Sequence, residues 1–231
     1  MGSTRLPGKV LKEVNGLPLI VHIYRRLLAC KELDGVGISW GVHDDCEVLE
    51  KLVDRYGLFA HAGMENDLIN RHRCAAASIG KYDAFVRITA DCLFHDPAYI
   101  DAMVAEYRNH YPKYRGLTNW YPHRTISEGL DAEIYSMELM AELDRDPKCP
   151  REDFATYAAL NGHVKTRWMP LDKLQESSLT DEQIKAGMEA HLSIDTQEDL
   201  DRAEKMLKIL TNDEWRYSET LKAYQSVMAE E

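Results

Sequence analysis

The sequence has no surplus of positive charge, no long apolar run and few cysteines. Its 231 residues include 28 Lys and Arg against 39 Asp and Glu, a formal net charge of −11 at pH 7. Proteins that bind nucleic acid usually have a basic surplus, so this balance argues against a nucleic-acid partner. No stretch approaches the roughly 18 apolar residues of a membrane span, and the N-terminus lacks the layout of a signal peptide. We therefore expect no membrane partner.

The five cysteines are odd in number, widely spaced and without a CxxC pair: Cys30, Cys46, Cys74, Cys92 and Cys149. This pattern argues against a disulfide framework and against a structural zinc site. We expect reduced, mostly buried thiols in a cytoplasmic protein.

Segments with helical and strand periodicity alternate in the first half of the chain. Helices are predicted over Leu17–Leu28, Asp44–Tyr56, Asp67–Ile79 and Pro97–Arg108. Strands are predicted over Val36–Ser39, Leu58–Ala62 and Ala84–Thr89. The alternation, with connections long enough for crossovers, indicates an α/β domain with a parallel or mostly parallel sheet.

The second half of the chain is less regular. The predicted strands are Leu117–Trp120, Leu130–Tyr135, Val164–Met169 and Leu192–Ile194, and the predicted helices are Ser136–Leu143, Glu152–Leu160, Gln197–Leu210 and about Asp213–Met228. Thr196 and Asp199 form a plausible capping box for the third of these helices. Residues Asp172–Gly187 are predicted to be a polar surface excursion, so we expect one domain over residues 1–231.

The first nine residues combine small residues with two cations. Gly2, Ser3 and Gly8 permit close approach of the backbone to a ligand, and Arg5 and Lys9 lie within five positions of each other. Backbone N–H groups with Arg and Lys suit a di- or triphosphate. The segment does not match the spacing of a Walker A sequence. A disordered N-terminal tail is the alternative interpretation.

Two aspartates follow predicted strands. Asp91 comes just after Ala84–Thr89, and Asp195 comes just after Leu192–Ile194. Ligands of open α/β sheets bind beyond the carboxyl ends of strands, where a carboxylate can hold Mg²⁺ beside nucleotide phosphates. A helix cap is the alternative for Asp195, although Thr196 can provide that cap.

Other charged residues have two interpretations each. Asp131 and Glu133 lie two apart on a predicted strand, so their side chains share a face and either bind a ligand or face solvent. Arg124 precedes this strand and is a candidate contact for an acidic acceptor. Arg71 is either part of a nucleotide site or a surface residue. Arg87 lies inside a strand and needs a partner, either a phosphate or an internal carboxylate.

Six segments resemble, in order, a known family. GSTRLPGK, followed by GLPL, resembles the signature of the cytidylyltransferases that activate acidic sugars, such as the CMP-Kdo and CMP-sialic acid synthetases. Five further segments resemble motifs of the branch named after spore-coat polysaccharide biosynthesis protein F. Residues 63–71 resemble its GSEDDVLxR, residues 87–92 its RITGDCP, and residues 129–133 its GLDVE. Residues 151–152 resemble the start of its REHVT, and residues 194–200 resemble its VDTPEDL. These segments span most of the chain.

The resemblance implies a Rossmann-like nucleotide-diphospho-sugar transferase fold of the GT-A-like type. Its sheet is mixed and mostly parallel, with helices on both faces. The implied reaction transfers CMP from CTP to an acidic sugar or similar anionic acceptor, with Mg²⁺ as cofactor and release of pyrophosphate. The resemblance further implies a homodimer, with residues 117–170 as an acceptor-binding and dimerisation subregion.

The resemblance also implies roles for individual residues. The nucleotide-binding residues are Gly2, Ser3, Arg5, Lys9, Arg71 and Asp91, and the acceptor-binding residues are Arg124, Asp131 and Glu133. Asp91 and Asp195 are the implied Mg²⁺ ligands. Arg5 and Lys9 are the implied catalytic residues, because they would stabilise the charge on departing pyrophosphate.

The sequence departs from the family in three places. Family members have a hydrophobic strand ending in Ala-Arg before GSTRLPGK, whereas Met1 lies inside this motif, so the first strand is expected to be missing. Leu93 and Asp153 replace the family's proline and histidine. One alternative is therefore an N-terminally incomplete, catalytically impaired nucleotide-fold protein that acts as a binding partner. Another is a cytidylyltransferase for a phosphonate or phospho-compound. An in-frame strand encoded upstream of Met1 would favour the enzyme.

Overall fold

The N-terminal part of the computed structural model is a short helix and a hairpin. The structure describes residues 5–42, 46–121, 124, 126–166, 180–211 and 214–230. A 3₁₀ helix, Lys9–Leu11, precedes strands β1 (Glu13–Val14) and β2 (Leu17–Pro18), which pair antiparallel. Asn15 and Gly16 have φ values of 48° and 77°, the left-handed conformation that a tight hairpin turn needs. Helix α1 (Leu19–Leu27) therefore begins two residues later than predicted.

The next elements form a parallel βαβ unit. Strands β3 (Ile38–Gly41) and β4 (Ala60–Gly63) pair in parallel, and helix α2 (Cys46–Tyr56) connects them. Helix α3 (Leu68–Ile79) follows with Asp67 as its N-cap. This part of the chain confirms the predicted alternation of helices and strands.

The larger sheet is mixed. It contains β5 (Ala84–Ile88), β6 (Gly116–Thr118), β7 (Ala132–Ser136) and β8 (Lys165–Thr166) in the order β5-β7-β6-β8. Strand β7 is antiparallel to both β5 and β6, and β8 is parallel to β6. The mixed sheet is confirmed. The parallel share among the described strands is smaller than predicted, because β7 lies antiparallel between β5 and β6.

The strand pair β3–β4 is separate from the larger sheet. Among the described residues, β3 pairs only with β4 and β5 pairs only with β7. All five residues of β5 are partly exposed, whereas β7, which has neighbours on both sides, is buried throughout. Among the described strands, β5 therefore has one edge without a neighbour.

Helices cover both faces of the larger sheet. Helices α4 (Pro97–His110), α8 (Gln197–Ile209) and α9 (Tyr217–Met228) share a core with Ile134 of β7. Helices α3, α5 (Met137–Arg145) and α6 (Phe154–Leu160) share a second core with Tyr135. Because successive residues of a strand face opposite sides, Ile134 and Tyr135 mark the two faces. The predicted two-sided arrangement is confirmed.

Residues 172–179 of the predicted polar excursion and residues 167–169 of the predicted strand Val164–Met169 lie outside the described residues, and helix α7 (Asp181–Glu189) begins within the excursion. Two other predicted elements differ from the structure. Leu192–Ile194 is not a strand; the chain there makes single backbone bonds, from Leu192 N to Glu128 O and from Ile194 N to Asp91 O. Helix α9 begins at Tyr217 instead of near Asp213. No described helix is both long enough and apolar enough to span a membrane. None of the five cysteines forms a disulfide, and three of them are buried.

Candidate active site

Lys9 joins three distant parts of the chain. Its Nζ donates to Asp91 Oδ2 at 2.8 Å, to Ile194 O at 3.0 Å and to Asp195 Oδ1 at 3.1 Å. Asp91 follows β5, and Asp195 lies two residues before α8. The structure thus brings together the two predicted Mg²⁺ ligands and the predicted phosphate-binding lysine.

The positive charge of Lys9 and the negative charges of Asp91 and Asp195 stabilise each other. Burial alone would raise the pKa of Asp91, but hydrogen bonds from Lys9 and Thr89 outweigh burial and hold this pKa below its ordinary value. Burial alone would lower the pKa of Lys9, but Asp91 and Asp195 raise it. The ammonium of Lys9 and the carboxylate of Asp91 are therefore both charged at neutral pH.

Local hydrogen bonds fix Asp91 in place. Thr89 Oγ1 donates to Asp91 Oδ1 at 2.6 Å. The backbone O of Asp91 accepts from Ile194 N at 3.0 Å, which ties the two aspartate-bearing segments together. The sequence analysis missed Thr89, and its position two residues before the aspartate at a strand end was the only available signal.

The capping box of α8 holds the segment that contains Asp195. Thr196 is the N-cap, and Asp199 Oδ2 accepts from Asp195 N at 3.1 Å and from Thr196 N at 2.9 Å. The predicted capping box is confirmed. The helix-cap alternative for Asp195 is wrong, because its carboxylate accepts from Lys9 and not from the first turn of the helix.

The N-terminal segment is folded from Arg5 onward. Leu6 is buried, and Leu11 N donates to the O of Gly8, whose φ is 66°. Arg5 Nη2 lies 3.3 Å from Asp195 Oδ2, with its side chain 66% exposed. Both predicted catalytic cations therefore contact the same carboxylate. Gly2 and Ser3 lie outside the described residues.

The two carboxylates fit a magnesium ion. Asp91 Oδ2 and Asp195 Oδ1 both lie within 3.1 Å of one ammonium nitrogen, so both point at one small cation. Mg²⁺ is commonly bound by one or two carboxylates with waters and substrate phosphates. In the described part of the chain, no group of three His, Cys, Asp or Glu residues could hold a metal by itself. The rest of a metal's coordination shell would come from outside the described residues.

Arg71 lies across the carboxyl ends of β3 and β4. A Cβ added to Gly41 or Gly63 would lie 2.9 Å from the Arg71 side chain, so both glycines make room for it. Arg71 Nη1 donates to Glu65 O at 3.1 Å, and its buried Nε has no hydrogen-bond partner within the described residues. Burial and the nearby charge of Arg87 lower the pKa of Arg71. This environment favours an anion at Arg71.

Glu133 lies inside the sheet and is 4% exposed. It accepts from Arg87 Nη1 at 2.8 Å, from Trp120 Nε1 at 2.7 Å and from Tyr135 OH at 3.2 Å. Arg87 therefore makes an internal ion pair, which decides between its two interpretations. Sequence analysis did not find the contact with Trp120. The acceptor-binding role of Glu133 stays a prediction, and its observed partners are all within the protein.

Arg124 and Asp131 pair with each other. Arg124 Nη1 donates to Asp131 Oδ1, and Arg124 Nη2 lies 3.8 Å from Glu128 Oε1. Burial raises the pKa of Asp131, and Arg124 opposes this effect. Asp131 directly precedes β7, so of these two carboxylates only Glu133 lies within the strand, and the shared face of the two stays a prediction.

Cys92 is not a nucleophile. Its thiol is buried, and burial followed by the charge of Asp91 raises its pKa far above the ordinary value. A weaker effect on the same thiol comes from Asp131. The acceptor candidate Asp131 and the metal candidate Asp91 are therefore close enough for their charges to act on one sulfur.

Arg151 ties two of the sequence motifs together. Its Nη2 donates to Asp144 O at 2.9 Å, and its Nη1 lies 3.8 Å from Asp67 Oδ1. The O of Arg151 accepts from Leu68 N at 3.1 Å. The segment at 151–152 thus supports the start of α3, the helix that contains Arg71.

Comparison with known proteins identifies relatives along most of the chain. A family model described as cytidylyltransferase matches residues 1–226. The spore coat polysaccharide biosynthesis protein SpsF of Bacillus subtilis is 26% identical over 149 residues, which span 63% of this chain and 59% of that protein. The 8-amino-3,8-dideoxy-manno-octulosonate cytidylyltransferase of Shewanella amazonensis is 24% identical over 242 residues, with 90% of this chain and 95% of that enzyme covered.

Solved structures show the same fold. A cytidylyltransferase from Leptospira borgpetersenii superposes with a TM-score of 0.84 and 26% identity, covering 99% of this chain and 92% of that one. A CMP:2-keto-3-deoxy-manno-octonic acid synthetase in complex with CTP superposes with a TM-score of 0.64 and 16% identity, covering 90% and 94% of the two chains. The predicted mixed α/β nucleotidyltransferase fold is confirmed.

Proposed function

This chain belongs to the cytidylyltransferase family, and we propose that it transfers CMP from CTP to an acidic sugar or similar anionic acceptor, with release of pyrophosphate. The supporting observation is the convergence of Lys9, Asp91 and Asp195 at the carboxyl end of β5, with Arg5 beside them. This cluster combines two Mg²⁺-binding carboxylates with two cations for phosphates. The relatives act in spore coat biosynthesis or on an amino sugar acid, which favours surface polysaccharide or glycan biosynthesis as the setting.

The proposed reaction is an in-line displacement at the α-phosphorus of CTP. An acceptor oxygen forms a bond to this phosphorus as the bond to the β-phosphate oxygen breaks, and pyrophosphate leaves. Mg²⁺ bound by Asp91 and Asp195 would neutralise charge on the phosphates. Arg5 and Lys9 bind the phosphates and stabilise the negative charge that develops on pyrophosphate.

The remaining predicted residues divide between the two substrates. Arg71 has an unpartnered buried Nε and supports the binding of a nucleotide anion near β3 and β4. Arg124 and Asp131 support the binding of an acceptor carboxylate and hydroxyls beside Asp91. Glu133 orients the Trp120 indole in this region through its 2.7 Å hydrogen bond.

A second candidate function is a catalytically impaired nucleotide-fold protein that binds a partner. The separation of the β3–β4 pair from the larger sheet, among the described strands, favours this candidate, because Arg71 and Asp91 then lie at the ends of two different sheets. Catalysis distinguishes the two functions directly.

The test is a pyrophosphate-release assay with CTP, Mg²⁺ and a panel of acidic sugars, phosphonates and phospho-compounds. We expect release with a sugar acid, and a loss of about 100-fold or more in Asp91→Ala and Lys9→Ala. Lys51→Ala is the control, because Lys51 forms an exposed ion pair with Glu47. Pyrophosphate formation that persists in Asp91→Ala or Lys9→Ala would overturn these roles, and release with a phosphonate alone would reassign the acceptor.

We also propose a cytoplasmic homodimer, with contacts from residues 117–170. Sedimentation at micromolar concentration tests the dimer, and a monomer there would contradict it.

A further inference from the structure

The ammonium of Lys9 is saturated by protein oxygens. Its three N–H donors match three acceptors between 2.8 and 3.1 Å: two carboxylates and the Ile194 carbonyl. The Lys9 side chain is 14% exposed. Arg5 differs, because it makes a single contact at 3.3 Å and is 66% exposed. Lys9 is therefore the inner cation of the cluster.

The position of this ammonium conflicts with a metal ion. Mg²⁺ binds carboxylate oxygens at about 2.0–2.1 Å, so an ion held by both Asp91 and Asp195 would lie in the space that Lys9 Nζ fills. A metal ion and the Lys9 ammonium side by side between the two carboxylates would repel each other strongly, because the site is partly buried. Lys9 and the metal cannot share both carboxylates.

We propose that Lys9 is an internal counter-cation, which a divalent metal displaces when it binds to Asp91 and Asp195. The displaced ammonium then contacts the nucleotide phosphates. This second step rests on the function proposed above. The long flexible side chain permits this movement while the backbone at Gly8 and Lys9 stays in place. Metal binding is weak without nucleotide, because Lys9 loses its three acceptors and gains none.

Coupling between the two ligands follows from this exchange. Nucleotide phosphates provide new acceptors for Lys9, so they strengthen metal binding, and metal strengthens nucleotide binding by the same factor. The metal and the nucleotide would therefore bind together, as a metal–nucleotide complex, and the metal alone would bind weakly.

The test is titration with Mn²⁺, followed by electron paramagnetic resonance, in the absence of nucleotide. Lys9→Met keeps the length of the side chain and removes its charge, so we expect Mn²⁺ affinity to rise roughly tenfold or more. Lys51→Met is the control for net charge and should bind Mn²⁺ as the wild type does. The double variant Lys9→Met with Asp91→Asn should lose the gain. Equal or weaker Mn²⁺ binding by a folded Lys9→Met would overturn the proposal.

A second measurement uses the wild-type protein, in case Lys9→Met does not fold. Acetylation of Lys9 by an amine-reactive reagent, read by peptide mass spectrometry, should increase when Mn²⁺ saturates the protein. Unchanged labelling of Lys9 at saturating Mn²⁺ would contradict displacement. Neither readout requires turnover, so failure of CMP transfer would overturn the proposed function and leave the displacement standing.

Discussion

The site residues differ in how directly the sequence specifies them. Arg5 and Lys9 were predicted from the glycine-containing N-terminal segment, and Asp91 and Asp195 from their positions after predicted strands. Their roles were implied by the family resemblance, and the structure brings all four together. Motifs of this kind are informative because their geometry depends on local backbone. The environment of Glu133 was not predictable, since its partners Arg87 and Trp120 reach it through strand pairing that periodicity does not encode.

The ion pair inside the sheet gives a stability prediction. Glu133→Gln should lower the free energy of unfolding by roughly 2–4 kcal/mol, because Arg87 would lose its counter-charge in a largely buried position. The indole emission of Trp120 should also shift, because Trp120 Nε1 donates to Glu133. Urea denaturation and fluorescence measure the two effects.

The matched control for this prediction is Glu142→Gln. Glu142 pairs with Arg115 and is 42% exposed, so its loss should cost less than about 1 kcal/mol. Equal costs for the two variants would contradict a structural role for the Glu133 pair.

A buried histidine gives a pH prediction. His95 is 1% exposed, and neither ring nitrogen has a hydrogen-bond partner within the described residues. Burial lowers the pKa of His95 to about 3, so between about pH 6.5 and pH 3 the unfolded chain binds a proton that the folded chain does not. As the pH is lowered through this range, His95 should therefore reduce the free energy of unfolding by up to about 1.4 kcal/mol per pH unit.

Chemical denaturation of wild type and His95→Leu between pH 7 and pH 5 measures this slope. We expect a shallower slope in His95→Leu, with a remainder from His72, whose pKa burial lowers to about 4. Identical slopes in the two proteins would show that His95 is charged when folded.

At the scale of elements, turn chemistry and caps decided where predictions succeeded. The capping box of Thr196 and Asp199 was found in the sequence and places Asp195. The start of α1 was missed because Asn15 and Gly16 form a hairpin turn, which pairs Leu17 and Pro18 with Val14 and Glu13. The strand at Leu192–Ile194 was wrong because a short apolar run does not determine whether a neighbouring strand pairs with it.

The edge of β5 gives a prediction about hydrogen exchange. Met137 N donates to Asp83 O, so by alternation the amides of Val86 and Ile88 point away from β7. No described strand pairs with that edge. We expect these two amides to exchange much faster than those of Ile134 and Tyr135 in β7.

Residue-resolved hydrogen exchange by nuclear magnetic resonance checks this expectation. Equal protection of the β5 edge and of β7 would mean that a further strand pairs with β5.

For the whole molecule, periodicity predicted an α/β domain with a parallel or mostly parallel sheet, and the family resemblance implied a mixed sheet with helices on both faces. The superpositions and the two cores confirm the mixed α/β fold. The direction of β7 was not predictable from the sequence, because the alternation of side chains along a strand is the same in parallel and antiparallel pairing. The net charge of −11 does not reveal the local pair of cations at Arg5 and Lys9. Lys9 contacts Asp91 and Asp195, and Arg5 contacts Asp195, so the local charge at this cluster differs from the overall balance.

The most direct test of the proposed activity is detection of both products in one reaction. The purified protein is incubated with CTP, Mg²⁺ and a sugar acid, and pyrophosphate and the CMP-linked acceptor are quantified together, the latter by mass spectrometry. We predict equal amounts of the two products, and about 100-fold less of each with Asp91→Ala. No CMP-linked product with any acidic acceptor, from a folded protein that binds CTP, would contradict the proposed transfer.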